Sequence, residues 1–166
     1  VMSGCASGEI GVALKEDDYD RARDIAKWYK SILGDRYYLE LQDHGHPKSN
    51  THWDVQAKIN EGLIKLSKEL DIEMVVTCDG HYLTHDHQDA HEILLCVGTG
   101  SYLSDEKRMS LKDFELHLTD PRDIIAHWGE EYPEVIRNTK KVADRCNVEI
   151  ELGRILIPKY PLPEGE

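Results

Sequence analysis

Thirteen residues, "VVTCDGHYLTHDH" (75–87), bring one cysteine, two aspartates and three histidines just past an apolar run. Asp79 and His81 flank Gly80, and a hard carboxylate and an imidazole two apart on a tight loop can point at one cation. The competing reading is that Asp79 caps the following helix and His81 packs beneath it. Cys5 lies between Gly4 and Ala6, where a thiolate could hold zinc or act as a nucleophile. A small buried hydrophobe is the plainer reading of Cys5. His44-Gly45-His46 and His85-Asp86-His87 both have the H-x-H form, which alone is weak. Their segments are polar, so His46, His85 and His87 are expected to be exposed and incidental. Asp43 and His44 fall nearer a strand end and are candidates to support a metal ligand from behind. His87 and His91 are one helical turn apart, but without H-E-x-x-H they are not expected to share a metal.

The remaining chemistry-bearing residues read as structural. Cys78, Cys96 and Cys146 lie in or beside apolar runs and are expected in the core. His117 and His127 have no evident partner. Trp28, Trp53 and Trp128 are scattered, which suits helix and core packing better than a base-stacking platform. No G-x-x-x-x-G-K-[ST], G-x-G-x-x-G or G-x-S-x-G occurs, so phosphate-cradling loops and nucleophile elbows have no support.

The elements that must position these residues follow from periodicity. Residues 17–33 place Ala22, Ile25, Ala26, Tyr29, Ile32 and Leu33 on one helical face, with Gly34 as its C-cap. Residues 36–42 alternate and carry aromatics, predicting a strand. Residues 52–70 form a second helix with Val55, Ile59, Leu63, Leu66 and Leu70 in one stripe. Residues 73–78 read as a short buried strand, 87–97 as a helix, and 113–118 as a short strand or extended piece. Asp120 caps a helix that begins at Pro121, and another helix covers 133–146. The proline-bearing tail reads as extended. The opening "VMS" reads as part of an element entered midway. This β-α-β-α-β-α order predicts an α/β fold with parallel strands, whose working residues collect at the strand carboxyl ends. Cys5, Asp43 with His44, and Asp79 with His81 all follow strand ends.

With 166 residues, 40% of them hydrophobic, the chain can build one ordinary core. No apolar run approaches the roughly 20 residues that span a bilayer, so no membrane role is expected. No secretory signal is visible at the N-terminus, and the four cysteines lack any C-x-x-C. A cytoplasmic location is the expectation. The net charge of −12 excludes broad electrostatic attraction to nucleic acid by this chain alone.

Several segments in order, "SGCASGEI" (3–10), "YYLELQDHG" (37–45), "NEGLIKLSKEL" (60–70), "VVTCDGHYL" (75–83), "AHEILLCVGTG" (90–100) and "VADRCNVEIELGRILIPKYPLPEG" (142–165), resemble one family. It is that of the bacterial DNA polymerase III alpha subunits, the replicative polymerases. The resemblance spans nearly the whole chain. It implies part of a distorted (β/α)7 barrel of the PHP type, with residues 1–110 as the C-terminal half of that domain. Residues 111–166 would be a mostly helical and extended segment leading toward the polymerase palm. On this resemblance Cys5, Asp79 and His81 map to the last metal ligands of the barrel. The earlier ligands and the catalytic aspartates of the palm are missing, and the chain is expected to be a fragment. The segment 46–58 looks longer than is usual in the family.

The implied chemistry is metal-dependent phosphodiester hydrolysis, a 3′→5′ proofreading exonuclease in some members and an inactive relic in others. The Cys/His/Asp set favours zinc or manganese at this site, with magnesium serving the absent polymerase site. DNA and other replisome subunits are the implied partners, reached through the parent protein. The fragment alone is expected to be inactive, and its open strand edges to favour dimerisation. The alternative is a scaffold or docking role around a degenerate site. A free-standing phosphoesterase of small phosphates is a third reading, opposed by the match beyond residue 84.

Overall fold

The computed structural model describes residues 1–49, 53–154, 157–158 and 161. Among them the chain runs α1 (Glu9–Lys15), α2 (Tyr19–Leu33), β1 (Leu39–Gln42), α3 (Asp54–Leu70), β2 (Met74–Thr77), α4 (Gln88–Thr99), α5 (Pro121–Trp128) and α6 (Pro133–Arg145). The fold is mixed and mostly helical around a two-stranded parallel sheet.

Local chemistry explains most boundaries. The Asp18 carboxylate accepts from the Arg21 amide at 3.1 Å and starts α2. Gly34, at φ 57°, stops it. Ala22 and Ala26 are fully buried on its inner face, but Ile32 is exposed, so the stripe read from sequence is one residue too wide. In α3, Ile59, Leu63 and Leu66 face the core, and Asp71 closes the helix in the left-handed region. Asp120 caps α5 by accepting from the Arg122 amide at 2.8 Å.

The sheet is one β-α-β unit, β1-α3-β2, with Leu39 opposite Met74 and Gln42 opposite Thr77. Both strands are buried along their apolar residues. The predicted strand 36–42 starts late, because Gly34–Arg36 form a tight turn. The expected opening strand is only a beginning. The Tyr38 amide donates to Val1 O and the Ser3 amide to Tyr38 O, both at 3.0 Å, in parallel sense. Pairing then passes to a side chain, with the Glu40 amide donating to Ser3 Oγ at 2.9 Å. Gly4, at φ 80°, turns the chain away, and α1, unforeseen in the sequence, follows. Residues 113–118 form no regular strand either. They are the extended alternative, joined to residues 81–82 around a single parallel bridge, Tyr82 with His117.

The hydrophobic core gathers α1, α2, α3 and the sheet, and takes Trp128 from α5 and Val135 from α6. The outer edge of β2 is not bare. Asn138 of α6 donates Nδ2 to Met74 O at 2.8 Å in a buried bond. This carbonyl faces away from β1, because the neighbouring Glu73 O accepts from Leu39 N. Asn138→Ala is expected to cost about 1–3 kcal/mol by stranding a buried strand-edge carbonyl. Equilibrium urea unfolding checks this, and an unchanged midpoint would remove Asn138 from the edge-capping role.

Candidate metal centre

Parallel pairing puts the carboxyl ends of residues 1–3, β1 and β2 at the same edge of the sheet. Cys5, Asp43 with His44, and Asp79 with His81 therefore leave from one side of the fold.

Asp79 follows β2 in the left-handed region at φ 48°, a conformation that Asp tolerates better than most residues. Its Oδ1 lies 3.4 Å from His81 Nε2, and both side chains are about one-third exposed. The loop is held by main-chain bonds to the 113–118 segment: His81 N to Leu116 O at 2.8 Å and Leu118 N to Tyr82 O at 2.9 Å. The Leu116 amide also donates to Tyr82 Oη at 2.9 Å. His91 of α4 meets the His81 ring edge-on at 5.4 Å. Asp79 does not cap the next helix, since the residue before α4 is His87.

His44 is a neighbour of this pair. It is 3% exposed, and its ring stacks on Phe114 at 4.9 Å. Burial pushes the imidazole below its usual range, against the pull of the Asp79 and Asp43 carboxylates. Among the described residues, His44 Nδ1 is buried without a hydrogen-bond partner, as are Gln42 Oε1 and Gln56 Oε1. The loop approaches α3 so closely that a Cβ at Gly45 would sit 2.7 Å from the Gln56 carbonyl carbon, so only glycine fits there.

Asp43 is directed elsewhere. Its Oδ1 accepts from Trp128 Nε1 at 2.7 Å and from His127 Nδ1 at 2.9 Å, which ties the loop after β1 to α5. His46 stacks on the His127 ring at 5.4 Å and lies tilted against Trp128 at 4.6 Å. Burial and the neighbouring His127 lower its pKa. His46 was expected at the surface and His127 without a partner; both expectations are overturned by this cluster. His117 also has a neighbour, with Nδ1 3.4 Å from Glu115, whose other oxygen is 2.5 Å from His85 Nε2. His85 and His87 are exposed, as read.

Cys5 is exposed in the turn before α1, so it is not a buried hydrophobe. Of the cysteines expected in the core, Cys96 is buried, Cys78 half-buried and Cys146 exposed. Trp128 is a core residue, whereas Trp28 is 58% exposed. Part of the loop expected to be unusually long, 50–52, lies outside the described residues.

Sequence reasoning missed Glu92. It is buried in α4 and accepts from Arg108 Nη1 at 2.6 Å, Ser110 Oγ at 2.8 Å and the Leu111 amide at 2.9 Å. Nothing in "AHEILLC" marks this glutamate, because all its partners lie 16 to 19 residues away.

These residues fit a metal in part. Asp79 and His81 converge, and an orphaned imidazole nitrogen lies buried in the same region. Among the described residues, no group of three His, Cys, Asp or Glu side chains is placed to hold an ion. Further ligands are needed to complete a coordination shell.

Residues 1–44 match the PHP domain family. The chain is 36% identical to the DNA polymerase III subunit alpha of Deinococcus radiodurans over 172 aligned positions, covering 99% of this chain and 12% of that protein. The corresponding subunit of Thermus aquaticus is 33% identical, with 99% of this chain and 13% of that protein covered. That of Campylobacter jejuni is 31% identical, with 95% and 13% covered. The chain thus spans only about one-eighth of the length of the curated relatives it matches. Together, the PHP match at residues 1–44 and the near-complete alignments make this chain a homologue of a segment of the DNA polymerase III alpha subunit.

Proposed function

We propose that this chain is the PHP-region portion of a replicative DNA polymerase, and that Asp79, His81 and Cys5 supply part of a metal-dependent phosphoesterase site there. The observation that carries this is the Asp79–His81 pair, 3.4 Å apart on a tight loop at the end of a parallel strand. Asp79 offers a hard oxygen, His81 an imidazole nitrogen and Cys5 a soft sulfur, a set suited to zinc or manganese. A bound divalent ion would supply positive charge against phosphate oxygens and acidify water. His44, whose pKa is lowered by burial, neighbours the pair without adding charge at neutral pH. The parent's substrate is DNA, its partners are the other replisome subunits, and its setting is the cytoplasm. Polymerisation, with its magnesium, belongs to other parts of the parent. No helix among the described residues is long and apolar enough to cross a membrane.

The second reading is a scaffold around a degenerate site. It is favoured by the want of any three-ligand group among the described residues.

Metal counting separates the two. The chain is stripped with chelator, reloaded with zinc or manganese and freed of excess, beside an Asp79→Asn/His81→Ala variant. Retention of about one ion by the wild type and none by the variant supports the assignment. Equal retention by both would move the site to other histidines. Retention by neither favours the scaffold for the isolated chain. Digestion of labelled single-stranded DNA with manganese is expected to show little or no cleavage by the 166-residue chain. Robust cleavage lost on Asp79→Asn would overturn that expectation.

A further inference from the structure

Beyond α6 the sequence reads Asn147-Val148-Glu149-Ile150-Glu151-Leu152, a strict alternation of apolar and polar residues. Period-two patterning of this kind belongs to a strand with one covered face. Among the described residues it has neither a strand partner nor a cover. Val148 is 82% exposed, Ile150 76% and Leu152 86%. Among the described residues, no main-chain hydrogen bond involves residues 147–152. Three large apolar side chains and a row of free peptide groups share one short segment, and both deficits are met by addition to a sheet edge.

A second copy of the same segment fits poorly. Antiparallel pairing centred on Ile150 sets Val148 opposite Leu152, but it also sets Glu149 opposite Glu151 of the other chain. Parallel in-register pairing stacks each glutamate on itself. Like charges directly across a pair of strands are destabilising. The partner edge must be apolar on one face and basic or neutral on the other.

The length of the relatives indicates where such an edge lies. The chain covers about one-eighth of its relatives, so most of their length lies outside it. We infer that residues 147–152 form a β-strand on an open sheet edge contributed by the portion of the polymerase outside this chain, with Val148, Ile150 and Leu152 packed inward and Glu149 and Glu151 facing Lys or Arg. This rests on the reading of the chain as part of a longer polymerase, and it does not require the metal site to be active.

The test is amide hydrogen exchange in the full-length polymerase and in the 166-residue chain. In the full-length protein the amides of 147–152 are expected to exchange at least about 100-fold more slowly than in the isolated chain. Ile150→Asp in the full-length protein is expected to abolish that protection, while zinc retention that depends on Asp79 and His81 persists. Ile150 is exposed in this chain, so the substitution spares its core. Equally fast exchange in both proteins would overturn the inference. Protection in the isolated chain that grows with its concentration would also overturn it, in favour of self-pairing. Protection in the full-length protein without any zinc retention would leave the strand in place and remove the metal-site reading instead.

Discussion

Asp43→Ala is expected to lower the unfolding free energy by about 3–5 kcal/mol, because its buried carboxylate accepts two hydrogen bonds and each bond to a charged group contributes about 1.5–3 kcal/mol. The Asp43 side chain is 4% exposed. It accepts from an indole N–H at 2.7 Å and an imidazole N–H at 2.9 Å, both brought by α5. Alanine would leave Trp128 Nε1 buried without an acceptor, and the indole sits in the main core at 2% exposure. The neighbouring His46 ring, stacked on His127 and tilted against Trp128, would lose its fixed surroundings. Urea unfolding followed by circular dichroism at neutral pH reads the loss. Two companions locate its origin. Asp43→Asn keeps an acceptor for Trp128 and should cost less than alanine. His127→Ala leaves the shorter Trp128 bond intact and should also cost less. A change below about 0.5 kcal/mol for Asp43→Ala, the usual range of surface substitutions, would mean that α5 docks by apolar packing alone.

That clamp also illustrates what sequence could and could not disclose. Helices α2, α3 and α6 carry apolar residues at helical spacing over three or more turns, and their caps are short-range, so they were legible. The parallel unit β1-α3-β2 was legible for the same reason: two apolar runs flank one amphipathic helix. Asp43 and His127, by contrast, are 84 residues apart, and no local pattern announces their bond. The polar look of "QDHGHP" suggested a surface loop. The fold instead seats it against α3, where Gly45 permits the approach and Gln56 and Asn60 supply polar neighbours. The missing third strand has a different cause. Residues 1–3 pair with Tyr38 but are deflected at Gly4, and the main-chain pairing of residues 113–118 among the described residues is confined to His81 and Tyr82. Alternation was read correctly as extended backbone, but a strand also needs a neighbour along its whole length. Of the site, the departure of Asp43 with His44 and of Asp79 with His81 from the same end of the sheet follows from the parallel pairing of β1 and β2. The burial of His44, whose Nδ1 finds no partner among the described residues, depends on Phe114 arriving from a distant segment.

Glu92→Gln is expected to destabilise the fold by about 2–3 kcal/mol at neutral pH, since hydrogen bonds to a charged group contribute about 1.5–3 kcal/mol. The Glu92 side chain is 2% exposed and Arg108 14% exposed, so solvent screens their 2.6 Å contact weakly. The carboxylate fastens residues 108–111 to α4. The chain that follows supplies Phe114 to His44 and the Leu116 carbonyl to the His81 amide, so the Asp79–His81 loop depends on this anchor. A pH series isolates the charge. Burial alone would raise the Glu92 pKa, but the Leu111 amide, Arg108 and Ser110 outweigh it and hold the carboxyl below its ordinary value of 4.5. A depressed folded-state value means that the stabilisation is fully present above the unfolded-state value. It is lost as pH falls through the lower folded-state value. The gap in unfolding free energy between wild type and Glu92→Gln should therefore be widest near neutrality and narrow as the pH drops below 4.5. A gap that stays constant across that window would show that Glu92 acts through shape and neutral hydrogen bonding, and that its charge does not hold the loop.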